Sequence, residues 1–135
     1  LSAVADLYPQ LLEKNTLVFS IDTDDIGVHH VFQKIHPSGA KIQFPMLSDL
    51  THEVGIDYGA YDPTIGQELR VTVIVDPSGI IRNYTMYDAW TGRSTDELMR
   101  VLSALQYQDE TKKATPANWK PGQPGLTLSL KNLPV

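Results

Sequence analysis

The sequence predicts an α/β sandwich built on a mixed sheet. Three observations carry that expectation. Short apolar runs alternate with helical periodicity through the first half of the chain. The β-branched run Leu69–Val75 is joined to Ile80–Tyr87 by Asp76-Pro77-Ser78-Gly79, which reads as a hairpin. A capped helical stripe follows, so the order is helix, strand, helix, strand, helix, hairpin, helix, tail.

Residues 2–14 are expected to be helical, because Val4, Leu7, Tyr8, Leu11 and Leu12 share one face. Ser2 is the candidate cap. Pro9 conflicts with this, since an interior proline costs about 3 kcal/mol, so a kink or an irregular start is expected. Thr16–Ile21 reads as a buried strand, and Asp22-Thr23-Asp24-Asp25 as the cap of a helix over 25–36. Phe44–Leu47 is the next strand candidate, with Ser48 or Asp49 capping a helix over 50–58. A loop carrying Pro63 and Gly66 leads into the hairpin.

Ser94-Thr95-Asp96-Glu97 has the form of a capping box. Leu98, Val101, Leu102 and Leu105 then give a helical stripe. After Tyr107 the prolines 116, 121 and 124 and the glycines 122 and 125 predict an extended arm over 109–135, set against a domain over 1–108. Trp119 would anchor that arm on its own or a neighbouring subunit. The first helix has no strand before it to pack beside.

A chain of 135 residues fits one domain, and 41% hydrophobic with 20% charged residues is ordinary for a globular protein. A net charge of -5 argues against a nucleic-acid partner, and no apolar run is long enough to span a bilayer. The chain opens on Leu1 and not on Met, which points to processing or truncation. It contains no cysteine, so thiol, disulfide and iron–sulfur chemistry are closed to these residues. The same absence fits a cytoplasmic location.

His29, His30, His36 and His52 form no i, i+4 pair and no Glu-x-x-His motif, so no metal role is expected. Asp22, Asp24 and Asp25 mimic the start of a calcium loop, but the twelfth position is Gln33, so capping is the reading. Ser, His and Asp are present without a Gly-x-Ser-x-Gly elbow, which disfavours a hydrolase triad. Arg70 begins an apolar strand, where an edge arginine would pair with Glu68 or Asp76. Arg93 reads as a loop cation, unfavourably placed just before a helix start.

Several segments, in order, resemble the peroxiredoxins. They are Ser20–Asp25 with His29, then Phe44-Pro45-Met46-Leu47-Ser48-Asp49, Arg70–Asp76 with Gly79, and Gly92-Arg93-Ser94 through Glu97. Gln106-Tyr107, Pro116-Ala117-Asn118-Trp119-Lys120-Pro121-Gly122 and Leu126–Leu133 complete the series, the last being closest to the alkyl hydroperoxide reductase type. The resemblance implies a thioredoxin-like fold and a thiol peroxidase that reduces hydrogen peroxide and organic hydroperoxides. A cysteine thiolate attacks the peroxide and becomes a sulfenic acid. In the family that cysteine lies just before the helix that begins here at Leu1, so an N-terminal truncation is expected. The family's resolving cysteine maps to Ala114 or Thr115, neither of which can form a disulfide.

The resemblance further implies that Arg70 lies beside the thiolate, with Arg93 near the same pocket, and that His29 is structural. No cofactor is implied. A thiol reductant protein or small thiol would be the second substrate, and a homodimer or decamer the assembly. The rival reading is a cysteine-free thioredoxin-fold module that only binds or assembles. A pure scaffold has no need for a buried cation at Arg70.

Overall fold

A computed structural model describes residues 1–129. The elements are α1 (Ser2–Glu13), β1 (Ser20–Asp22), α2 (Ile26–Ile35), β2 (Met46–Ser48), α3 (Glu53–Asp57), β3 (Tyr61–Asp62), β4 (Gln67–Glu68), β5 (Arg70–Val75), β6 (Ile81–Tyr87) and α4 (Thr95–Thr111). They fall into two compact units. One comprises Leu1–Val71 with Met86–Arg93, and the other Thr72–Thr85 with the chain from Ser94 onward.

In the first unit, α1 runs through Pro9 without interruption, with Ala5 and Leu11 buried on either side of it. Ser2 lies inside the helix and does not cap it. The N-cap is Leu1, whose carbonyl accepts the N–H groups of Val4 (3.0 Å) and Ala5 (2.9 Å). The expected strand over Thr16–Ile21 is shorter and later. Asn15 turns left-handed at φ 51°, and the Thr16 N–H bonds back to Leu11 O at 2.9 Å. Ladder pairing starts only at Ser20, whose N–H reaches Pro45 O at 3.0 Å. Leu17, Phe19 and Ile21 are exposed, so this run is not the buried strand that its apolar content suggests.

β1 and β2 pair in parallel, Ser20 with Met46 and Asp22 with Ser48. Asp25 caps α2 as expected, its Oδ1 accepting the Val28 N–H at 3.0 Å. The core is Ala5, Ile42 and Phe44, with Val4, Tyr8, Val18, Phe32 and Met46 packed on it. Neither Ser48 nor Asp49 stands at the N-cap of α3. His52 does, at φ 60° and without a side-chain bond. The loop carrying Pro63 and Gly66 contains an antiparallel ribbon that periodicity cannot reveal, β3 with β4, in which Tyr61 pairs with Glu68 and Asp62 with Gln67.

In the second unit, the β5–β6 turn is closed by the Asp76 carboxylate, whose Oδ1 accepts from Ser78 N (2.9 Å) and Ile80 N (3.1 Å). Gly79 takes φ 83°, which a side chain would strain. Ser94 Oγ accepts the Glu97 N–H at 3.2 Å to start α4. Glu97 does not complete the box, because its carboxylate pairs with Arg100 at 2.6 Å.

Beyond α4 the described residues, through 129, form no helix or named strand, and they are anchored. Ala114 and Leu126 form an isolated antiparallel bridge. Trp119 is 2% exposed and donates from Nε1 to Gln123 O at 2.9 Å. Its ring lies 5.0 Å from that of Tyr107, whose hydroxyl accepts the Gly125 N–H at 2.8 Å. The tryptophan therefore anchors the arm on its own chain. The last part of the Leu126–Leu133 segment lies outside the described residues.

The strands pair two by two, one pair parallel and one antiparallel beside the hairpin, so both senses of a mixed architecture are present.

Candidate active site

Arg70 opens β5 and Arg93 ends the turn after β6. Both belong to the first unit, as does the start of α1. Arg70 donates from Nε to the Ala89 carbonyl, and Arg93 donates from Nη1 to Val71 O at 2.9 Å. Backbone carbonyls thus hold both guanidiniums across the base of the hairpin. The expected partners of an ordinary edge arginine are engaged elsewhere. Asp76 pairs with Arg82 at 3.3 Å, and Glu68 turns toward Asp49. Among the described residues no carboxylate forms an ion pair with Arg70.

The charges feel one another. Partial burial first, and then the Arg70 charge, lowers the Arg93 pKa. The charges of Arg70 and Arg93 both reach Leu1 at the head of α1, where the helix dipole adds positive potential. A guanidinium fixed by carbonyls keeps its full charge, so an anion or a polarised oxygen placed here would be stabilised. The expected burial of Arg70 is corrected, since its side chain is exposed. A carbonyl on a turn can fix a guanidinium without enclosing it, and sequence alone could not foresee that.

The histidines are not gathered. His29 is 4% exposed and its Nε2 lies 2.7 Å from Asp22 Oδ1. His36 stacks on Phe32 and His52 on Tyr61. Among the described residues no three His, Asp or Glu side chains are arranged to hold a metal ion. Asp22 Oδ1 also accepts the Asp24 N–H at 3.0 Å, and Asp25 caps α2. No helix among the described residues is long and apolar enough to cross a membrane.

One pair escaped the sequence reading. Asp49 and Glu68 are nineteen positions apart (68 - 49 = 19) and sit on no shared periodicity, yet their carboxyl groups meet.

Comparison with known proteins bears on the fold and the family. The crystal structure of reduced Plasmodium vivax 2-Cys peroxiredoxin superposes with a TM-score of 0.85 at 25% identity, covering 92% of this chain and 65% of that one. The chain thus has the thioredoxin-like α/β fold that its sequence predicts. It is 32% identical over 126 residues to alkyl hydroperoxide reductase C of Buchnera aphidicola, 91% of this chain and 64% of that protein. It is 39% identical over 132 residues to the selenocysteine-containing peroxiredoxin PrxU of Peptoclostridium acidaminophilum, 93% of this chain and 64% of that protein. The AhpC/TSA family model matches residues 1–84, and the model for the C-terminal domain of 1-Cys peroxiredoxin matches residues 104–131. The chain belongs to the AhpC/TSA family. It spans less than two thirds of the length of these two curated relatives.

Proposed function

We propose that the intact protein is a peroxiredoxin-type thiol peroxidase acting on hydrogen peroxide and organic hydroperoxides, and that Arg70 and Arg93 are its polarising cations. The observation that carries this reading is that backbone carbonyls hold Arg70 and Arg93 with their charges reaching the start of α1, and that among the described residues no carboxylate forms an ion pair with Arg70. The reacting sulfur is not among these 135 residues, because none is cysteine. A thiolate supplied by the intact protein attacks one peroxide oxygen. The S–O bond forms, the O–O bond breaks, and the leaving alkoxide or hydroxide takes a proton. Two equivalents of an outside thiol then return the sulfenic acid to thiol, releasing water and becoming a disulfide. Ala114 and Thr115 at the resolving position, with the match to a 1-Cys C-terminal domain, support this single-cysteine cycle.

The same reading carries a catalytic domain over 1–108 with an arm over 109–135, a homodimer or decamer, and a cytoplasmic location. Arg70→Ala in the intact protein should lower kcat/KM for peroxide by about a hundred-fold, the usual cost of removing one preorganised donor. An unchanged rate refutes the assignment. The 135-residue chain should consume no peroxide above a protein-free control, and turnover that survives thiol-blocking reagents would contradict the thiol mechanism. The missing cysteine itself favours the second reading, a thioredoxin-fold module that binds or assembles. An encoding gene without a cysteine upstream of Leu1 would end the peroxidase reading and leave the module.

A further inference from the structure

Asp49 follows β2 and is 5% exposed. Its Oδ2 accepts the Gly55 N–H at 2.7 Å. Glu68, in β4, comes within hydrogen-bonding reach of Asp49, and its Oε1 is fully buried with no donor beside it. A methyl group built on Gly55 would stand 2.9 Å from Glu68 Oε1 and 3.5 Å from Asp49 Oδ2, so both oxygens face the same buried glycine. Ionised carboxylates only accept hydrogen bonds. Neither Asp49 nor Glu68 forms an ion pair among the described residues. Two carboxyl oxygens facing one buried glycine, with no cation paired to either, favour a proton between them.

Among the described residues no Lys, Arg or His lies within ion-pair distance of Glu68. Asp22 of β1 adds a second negative charge and is itself held by His29 of α2. His52, at the head of α3, stacks on Tyr61, the cross-strand partner of Glu68, at 4.3 Å. Burial, then the charges of Asp49 and Asp22, pushes the Glu68 carboxyl up to about 7.

We propose that Asp49 and Glu68 share one proton over Gly55, and that this protonated pair is a latch that positions Arg70. The link is short. Gly55 O accepts the Ala60 N–H at 2.7 Å, Ala60 O accepts the Leu69 N–H at 2.6 Å, and Leu69 lies between Glu68 and Arg70. With the proton bound, β4 is held against α3 and β5 starts from a fixed point. Without it, two adjoining negative charges repel, Glu68 moves to water, and the anchor of Arg70 is lost. Only the consequence for peroxide chemistry rests on the peroxidase reading; the latch does not.

The test uses the 135-residue chain without peroxide, so failure of the peroxidase reading cannot affect it. Side-chain carboxyl NMR should show Glu68 titrating near neutrality. Amide exchange at Leu69, corrected for its intrinsic pH dependence, should lose protection about ten-fold between about pH 6 and about pH 8, the ratio expected if opening restores an ordinary carboxyl. Glu68→Gln, which can donate to Asp49 at any pH, should keep protection flat across that range. Asp49→Asn should move the Glu68 titration down. Ordinary titration of Glu68, a transition that survives Glu68→Gln, or no shift in Asp49→Asn would each overturn the proposal.

Discussion

Replacing Trp119 with alanine should unfasten the segment beyond α4. The indole is nearly inaccessible, packs on Tyr107, and uses its N–H on Gln123 O. The Trp119 carbonyl also accepts from Arg100 Nη1 at 3.4 Å. A buried tryptophan removes on the order of 200 Å² from water, an upper limit of about 5 kcal/mol. With partial collapse of the cavity the expected loss is about 3–5 kcal/mol. Trp119→Phe keeps most of the ring and leaves Gln123 O without its donor, at a cost of about 1–2 kcal/mol. For a chain of this size the alanine variant should melt about 10–20 °C lower and the phenylalanine variant about 3–6 °C lower. Circular dichroism gives the melting curves. Fluorescence gives an independent reading, because the only other tryptophan, Trp90, is 95% exposed. The blue-shifted native emission should therefore vanish with Trp119. A Trp119→Ala protein melting within about 2 °C of the parent would show that the tryptophan does not hold the arm, and the reasoning from burial would fail.

Gly55→Ala places a methyl group against Glu68 Oε1 and 3.2 Å from Tyr61 Cβ, so it should expel the carboxyl and abolish the near-neutral titration seen by NMR. The Asp76 pKa is lowered chiefly by the Ile80 N–H, then by the Ser78 N–H and Arg82. Its contribution is thus present above the ordinary carboxylate range and lost as pH falls through the lowered value, so the Ser78 and Ile80 amides, corrected for their intrinsic pH dependence, should lose protection in acid, and in Asp76→Ala they should be unprotected at every pH. Tyr107→Phe removes the acceptor of the Gly125 N–H and should cost about 1 kcal/mol in urea denaturation. An unchanged midpoint would mean that Gly125 finds another partner.

What could be read from the sequence was what depends on neighbours in the chain. The Asp25 and Ser94 caps, the hairpin with its Asp76 turn, and the stripe of α4 all rest on contacts within a few residues. Thr16–Phe19 was misjudged because β propensity does not reveal whether a ladder partner exists, and pairing begins only where Pro45 supplies a carbonyl to Ser20. The β3–β4 ribbon is too short to show alternation. Arg70 and Arg93 could be singled out only by resemblance, since their anchors are backbone carbonyls that any sequence would offer. The Asp49–Glu68 contact needed the ribbon in place before it could be seen at all.

The Arg82 side chain ties three segments at once. It reaches Asp76 at the hairpin turn and Asp109 at 3.1 Å near the end of α4. Its two partners differ greatly in distance along the chain, six positions for one and twenty-seven for the other. Hairpins close in about 1–10 μs, and longer loops carry a larger closure entropy. Loop closure alone would bring the arginine to Asp76 first, with the finished hairpin then presenting it to the incoming helix. Assembly of this unit acquires a direction in time: Asp109→Ala should slow helix docking while leaving hairpin formation at its original rate, and Arg82→Ala should slow both.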